Sequence, residues 1–244
     1  MVGKDNWELT REMFLSEDEV HLIRESLRVR ISTATMSTVW QARTDQLIFE
    51  MLTFSGLRNS EFCHLRVSDV PPAFRQAALR VAETPRQDRI VAIPGTLVEL
   101  IGAYIREVRP HVLHESVPVK DGNQPLVVNE RGRPLDRTAL YRRVVRILSE
   151  AGFASRASVQ LLRHTYGYLA YKRTQGNLLF VQQQLGHSHP MVTAVYAAFV
   201  EFSKEDLANQ VGGEPASLNE SVANRPSATR RPTRQSTRQK GKLE

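Results

Sequence analysis

The sequence predicts a mostly α domain with a small antiparallel β-sheet (α+β). Three observations carry that prediction. Apolar residues recur at helical spacing along most of the chain, with capping residues and glycines at the ends of the periodic stretches. One interval, residues 77–93, instead holds two short β-prone runs on either side of a turn containing Pro85. The chain has 244 residues, 41% apolar and 24% charged, which is globular arithmetic with room for a sizeable core.

Residues 1–13 read as a short lead-in. Ser16-Glu17-Asp18-Glu19 forms a capping box ahead of Val20, Ile23 and Leu27 on one helical face. A second helix is expected from about Ala42, with Leu47, Ile48, Met51 and Leu52 in a stripe and Gly56 as terminator. A short helix over Asn59–Leu65 is stopped by Pro71-Pro72. Residues 77–81 and 89–93 are the strands, and Leu126-Val127-Val128 is a third short extended segment. Between them, Leu97, Ile101, Tyr104, Ile105 and Val108 mark a helix expected to end before Pro110. Helices follow at 136–150, 158–174 and 177–185, and Pro190 opens a last one running to about Val200. From Gly212 the chain is Pro, Ser, Thr, Asn and Arg with few large apolar residues, so residues 212–244 are expected to be a disordered basic tail.

Lys and Arg exceed Asp and Glu by 33 to 26, a net charge of +7. Seven cations against three glutamates place +4 of that in residues 212–244, which leaves the body only mildly basic. The body's cations are mostly arginines, whose planar fork suits phosphate. No run approaches the 18 apolar residues of a transmembrane helix, and MVGKDNWELTREMF lacks the apolar core of a secretion signal. Cys63 is the one cysteine, which excludes an intramolecular disulfide and a cysteine-based metal cage. The expectation is a cytoplasmic protein without a membrane partner.

Three polar clusters stand out against the helical scaffold: Gly56-Leu57-Arg58-Asn59-Ser60-Glu61, Gln160-Leu161-Leu162-Arg163-His164-Thr165, and Leu185-Gly186-His187-Ser188-His189-Pro190 with Tyr196 beyond it. Singly, each has a bland reading: an arginine beside a glutamate is usually an ion pair, and His187-Ser188-His189 is a poor metal signal without further ligands. Together, two arginines, a histidine and a tyrosine are the parts for handling a phosphodiester. Arginines neutralise charge on the non-bridging oxygens, and a tyrosine can be a covalent nucleophile.

In this order the clusters resemble the tyrosine recombinase (phage integrase) family. The resemblance runs from Phe14-Leu15-Ser16-x-x-Glu19 and Ser55-Gly56-Leu57-Arg58-x-Ser60-Glu61 to the hairpin ending Arg89-x-Val91-x-Ile93-Pro94. It continues through Leu162-Arg163-His164-Thr165 and Leu185-Gly186-His187-Ser188 to Thr193-x-x-Tyr196, covering about residues 14–203. It implies the tyrosine recombinase catalytic-domain fold over 14–211 and a transesterification that needs no cofactor or metal. Arg58 and Arg163 would clamp the scissile phosphate, and His187 would donate to a non-bridging oxygen. Tyr196 would attack phosphorus, giving a 3′-phosphotyrosyl bond and a free 5′-hydroxyl. Glu61 would support the first arginine, while His164 is read as a packing or supporting residue.

The pattern departs from the family at three places. Thr84 falls where the family usually offers a lysine to protonate the departing 5′-oxygen; nearby Arg86 and Arg89 can contact DNA but are poor proton donors. Gln160 stands where a histidine usually precedes the second arginine by three residues, and glutamine cannot titrate. Too few residues precede Leu15 for the N-terminal core-binding (SAM-like) domain with which the family closes a clamp on DNA. The implied function is site-specific DNA breaking and rejoining by a dimer or tetramer on duplex DNA in the nucleoid, the chain being a catalytic domain alone, a separated fragment, or a protein that relies on an accessory partner for the absent half of the clamp. A DNA-binding accessory protein with little cleavage activity and a topoisomerase-like nicking–closing enzyme are the alternative readings.

Overall fold

A computed structural model describes residues 9–70, 77–84, 87–113, 124–129 and 131–212. Two compact units divide the chain at residue 201. The first is mostly helical with one two-stranded antiparallel sheet. Its centre is α2 (Val39–Ser55), which packs against α1 (Glu17–Ser32), α6 (Arg137–Glu150) and α7 (Val159–Arg173). Helix α2 is buried nearly all round: Leu47, Ile48, Phe49, Met51 and Leu52 are each at most 1% exposed. A helix covered on nearly every side runs through a core, with Asp45 and Glu50 held in ion pairs to Arg143 and Arg24.

Capping side chains set the helix starts, and the box predicted at Ser16 is among them. Ser16 and Glu19 close the capping box on α1, with Ser16 N donating to Glu19 Oε2 at 2.7 Å and Glu19 N to Ser16 Oγ at 3.1 Å. Asp136, Ser158 and Asn177 accept from the first turns of α6, α7 and α8 (Leu178–Leu185). Gly56 and Gly186 end α2 and α8 in the left-handed region, at φ 64° and 61°. Gly56 is required twice over, because a Cβ there would stand 2.5 Å from Tyr166 Cδ1 and 2.8 Å from Leu185 Cδ2.

Strands β1 (Ala78–Thr84) and β2 (Gln87–Ala92) pair in one register from Ala78↔Ala92 to Ala82↔Asp88, with a shift before Thr84↔Gln87, so Thr84 lies at the hairpin tip. Beyond them, α3 (Asn59–His64) follows α2, and α4 (Gly95–Ala103) follows β2.

Several expectations are corrected. Helix α2 begins at Val39, three residues early. The helix from α4 does not stop before Pro110: it passes through a π-turn at Tyr104–Val108 into α5 (Arg109–Val112). Proline is tolerated there because it occupies the first turn of α5, where no N–H is needed. Residues 126–128 form no third strand; Val128 makes only an isolated bridge to Pro134. The last predicted helix is α9 (Pro190–Ala194) followed by a tighter 3₁₀ turn, Val195–Phe199. The lead-in is not all surface, since Leu9 is buried in a second apolar cluster with Phe14, Val181, Leu185 and Tyr196.

The second unit contains α10 (Lys204–Gly212), which the sequence reading did not anticipate. The tail assigned to 212–244 lies outside the described residues after Gly212. No helix among the described residues is long and apolar enough to cross a membrane.

Candidate active site

The C-terminal ends of α2 and α8 lie together, and their free carbonyls hold the two arginines. A helix leaves its last carbonyls unpaired and carries partial negative charge there, so it is a natural seat for a guanidinium. Arg163, on α7 and 5% exposed, donates Nη1–H to Gly56 O and Nη2–H to Leu185 O, the latter at 2.6 Å. Arg58 donates Nη2–H to Gly186 O at 2.7 Å and Nη1–H to Glu61 Oε1 at 2.7 Å. Each guanidinium carries five N–H groups and spends two on these partners, which leaves three apiece. Burial, then repulsion from Arg58, lowers the Arg163 pKa to about 10, still protonated at neutral pH.

Glu61 is the counter-ion for two arginines. It accepts from Arg89 Nη1 at 2.6 Å and Nη2 at 3.0 Å, as well as from Arg58 Nη1 and from Arg58 N at 2.7 Å. Burial alone would raise its pKa, but the Arg89 and Arg58 hydrogen bonds reverse that and hold it at about 2. The Arg89 side chain is 9% exposed and paired twice with Glu61, so it braces Glu61 and is not a free surface cation. Three arginines against one carboxylate leave this region two positive charges in excess.

These residues open on a cleft of about 580 Å³ lined by Arg58, Gln160, Arg163 and His187, with Asn59, Arg137 and Tyr141 on its other wall. His187 follows Gly186 and holds Nδ1 2.9 Å from the buried Thr193 Oγ1, which leaves Nε2 as the ring nitrogen available to the cleft. Burial and the charges of Arg163 and Arg58 depress the His187 pKa to about 4, so the ring is neutral until an anion arrives. Arg137 and Tyr141 were not anticipated. Their i, i+4 spacing on α6 was the available signal, but it marks any exposed helical face equally well.

Tyr196 lies behind this cleft and does not line it. It is 1% exposed and sits in the 3₁₀ turn after α9, with its hydroxyl 3.0 Å from His164 Nδ1. Burial raises the phenol pKa to about 12. Gly167 makes room for the ring, because a Cβ there would stand 2.2 Å from Tyr196 Cζ. Gln160 does not contact the phenol; its Nε2 lies 3.1 Å from His164 Nε2. Thr84 is described by its backbone only, at the strand end, and Arg86 lies outside the described residues.

The shifted groups fix the acid side of the stability curve. His164 and His187 resist protonation to about pH 4, whereas unfolded histidine takes a proton near 6.5. Unfolding free energy should therefore fall as pH drops from about 6.5 toward 4. Glu61 adds a second loss: its stabilisation is complete above 4.5 and disappears as pH falls through about 2. Urea titrations at stepped pH should show both limbs, and Glu61→Gln should shrink the lower one, to which Glu17 and Glu19 also contribute, while keeping the upper.

The phage integrase family model matches residues 13–201. The chain is 29% identical over 171 residues to the tyrosine recombinase XerH of Campylobacter jejuni, covering 70% of this chain and 45% of that protein. It is 27% identical over 152 residues to the tyrosine recombinase XerD of Staphylococcus saprophyticus, covering 62% and 49%. The chain thus spans about half the length of the curated relatives it matches. Among solved structures, the post-cleavage complex of XerH bound to palindromic difH substrate aligns with a TM-score of 0.62 at 24% identity, over 82% of this chain and 52% of that one. The XerA recombinase aligns with a TM-score of 0.58 at 23% identity, over 84% and 65%. At these identities the structural likeness establishes the fold, that of tyrosine recombinase catalytic domains.

Proposed function

Because the chain belongs to the phage integrase family, we propose that it is a site-specific DNA recombinase that breaks and rejoins strands through a 3′-phosphotyrosyl intermediate on Tyr196. The observation that carries this reading is the convergence of Arg58, Arg163 and His187 on one open cleft with the Tyr196 hydroxyl directly behind it. A phosphodiester brings one negative charge and its five-coordinate transition state two, matching the twofold positive excess around Glu61. The unspent N–H groups of Arg58 and Arg163 hold the non-bridging oxygens, and the bound anion raises the His187 pKa so that Nε2–H donates as charge grows. Attack forms the Tyr196 O–P bond as the phenol gives up its proton to solvent water, and breaks the bond to the 5′-oxygen, which takes a proton from water and leaves as a hydroxyl. The test is a nicked suicide duplex, which traps a covalent protein–DNA band; its absence with pure folded protein would reject the reading.

The covered phenol sets a condition on that chemistry. Tyr196 must be released on its cleft side, its oxygen staying at His164 Nδ1, before it reaches phosphorus. Duplex DNA, and a second copy of the chain on it, are the partners proposed to favour release. The basic residues of 212–244 would supply further phosphate contacts.

Thr84 leaves the departing 5′-oxygen without the titratable lysine that the resemblance expects at the hairpin tip. A substrate with a 5′-bridging phosphorothioate has a leaving group that needs little protonation. Native protein should cleave it disproportionately fast, and Thr84→Lys should speed cleavage of the ordinary diester by ~10²-fold and erase the preference. Equal native rates on both substrates would show that another group already supplies the proton.

A further inference from the structure

Helix α7 presents Gln160, His164 and Gly167 on successive turns of one face: Gln160 meets His164, and His164 and Gly167 both meet Tyr196. Gln160 lines the cleft and places Nε2 3.1 Å from His164 Nε2. His164 places Nδ1 3.0 Å from the Tyr196 hydroxyl. Gly167 leaves the space the phenol fills, since a Cβ there would lie 2.5 Å from the Tyr196 oxygen. The row therefore runs from the phosphate cleft to the nucleophile through a ring whose two nitrogens are both engaged.

An amide nitrogen only donates. Facing His164 Nε2, it makes that nitrogen the unprotonated one, so the hydrogen of the neutral ring sits on Nδ1 and is donated to the Tyr196 oxygen. His164 stays neutral at physiological pH because burial and the Arg163 charge hold its pKa at about 4. A donor aimed at the phenol oxygen does two things. It fixes that oxygen in one place, and it stabilises negative charge as the O–H bond gives way. It also excludes His164, in this tautomer, as the acceptor of the phenol proton.

The geometry points to His164 as the positioning residue of the Tyr196 nucleophile, with Gln160 setting its tautomer. This rests on the recombinase reading above. Gln160 thus acts on the nucleophile through His164, and a group that cannot titrate suffices for the task.

Two measurements test it. In a long-range ¹H–¹⁵N correlation spectrum of the full chain at pH 7, the ring assigned by its loss in His164→Asn should show the Nδ1–H tautomer, and Gln160→Ala should abolish the preference. On the nicked suicide duplex, His164→Ala should slow adduct formation on the order of 10²-fold with DNA affinity unchanged. His164→Asn, whose amide nitrogen stands near the Nδ1 position, should recover most of that loss, and His164→Gln should not. An Nε2–H tautomer in the native protein, or equal rates for the Asn and Gln variants, overturns the proposal. If native protein forms no adduct at all, the recombinase reading fails instead, and the tautomer and its response to Gln160→Ala still decide this one.

Discussion

Tyr196→Phe should eliminate the covalent protein–DNA band while leaving DNA binding and the fold in place. The substitution removes one oxygen from a side chain that is 1% exposed and packed among Phe14, Tyr166, Val181 and Leu185. The ring and its packing are kept. The loss to stability is one hydrogen bond, to His164 Nδ1, or about 1 kcal/mol. The loss to chemistry is complete, because without the oxygen no O–P bond can form. An adduct that survives and maps to Tyr166, Tyr168 or Tyr171 would show that a different tyrosine is the nucleophile. Tyr166 is a poor substitute on physical grounds: it is buried, its hydroxyl faces Gln184 Oε1, and burial pushes its pKa well above the usual phenol value. Electrophoresis of the suicide-substrate reaction, followed by peptide mapping, decides the matter.

Arg163→Ala should damage the fold and the chemistry together. Arg163 bridges Gly56 O at the end of α2 to Leu185 O at the end of α8. Removing it leaves two buried carbonyls without a charged donor, at a cost of about 3–5 kcal/mol, read as a lower urea midpoint. It also removes half of the proposed phosphate clamp, and cleavage should fall by about 10³-fold or more. Arg163→Lys separates the two effects. A lysine keeps the charge but has no planar fork, so it cannot span both carbonyls and still present hydrogens to an anion. Its stability should recover in part and its cleavage much less. Cleavage that tracks stability across the two variants would reduce Arg163 to a structural brace. Rates should be compared at a temperature where circular dichroism shows each variant folded.

The two predictions differ in where their evidence lies along the chain. Tyr196 was identifiable from Thr193-x-x-Tyr196 and its place after Gly186-His187, within about one helix of sequence. That it is covered, and tied to His164, was not. His164 was read as a supporting neighbour of Arg163, yet it touches the proposed nucleophile, 32 positions away. Gln160 was read as a stand-in near the tyrosine, and the structure puts a histidine ring between them. Arg89 reads from the sequence as a supporting residue close enough to contact DNA, and the structure gives its guanidinium to Glu61 across 28 residues.

Local rules carried the rest. The Ser16 capping box, the N-caps at Asp136, Ser158 and Asn177, and the terminators Gly56 and Gly186 depend on hydrogen bonds and dihedrals within four or five residues, so the sequence by itself determined the helices and the order of the polar clusters. The π-turn before Pro110 and the absent third strand escaped because packing overrides local preference there. Only the tertiary structure decided which groups meet. Arg58 finds Gly186 O across 128 residues and Arg163 finds Gly56 O across 107. Such partners carry no periodicity, because a carbonyl is offered by every residue alike. What selects these carbonyls is the meeting of two helix ends, a consequence of how α2, α7 and α8 bury their apolar faces.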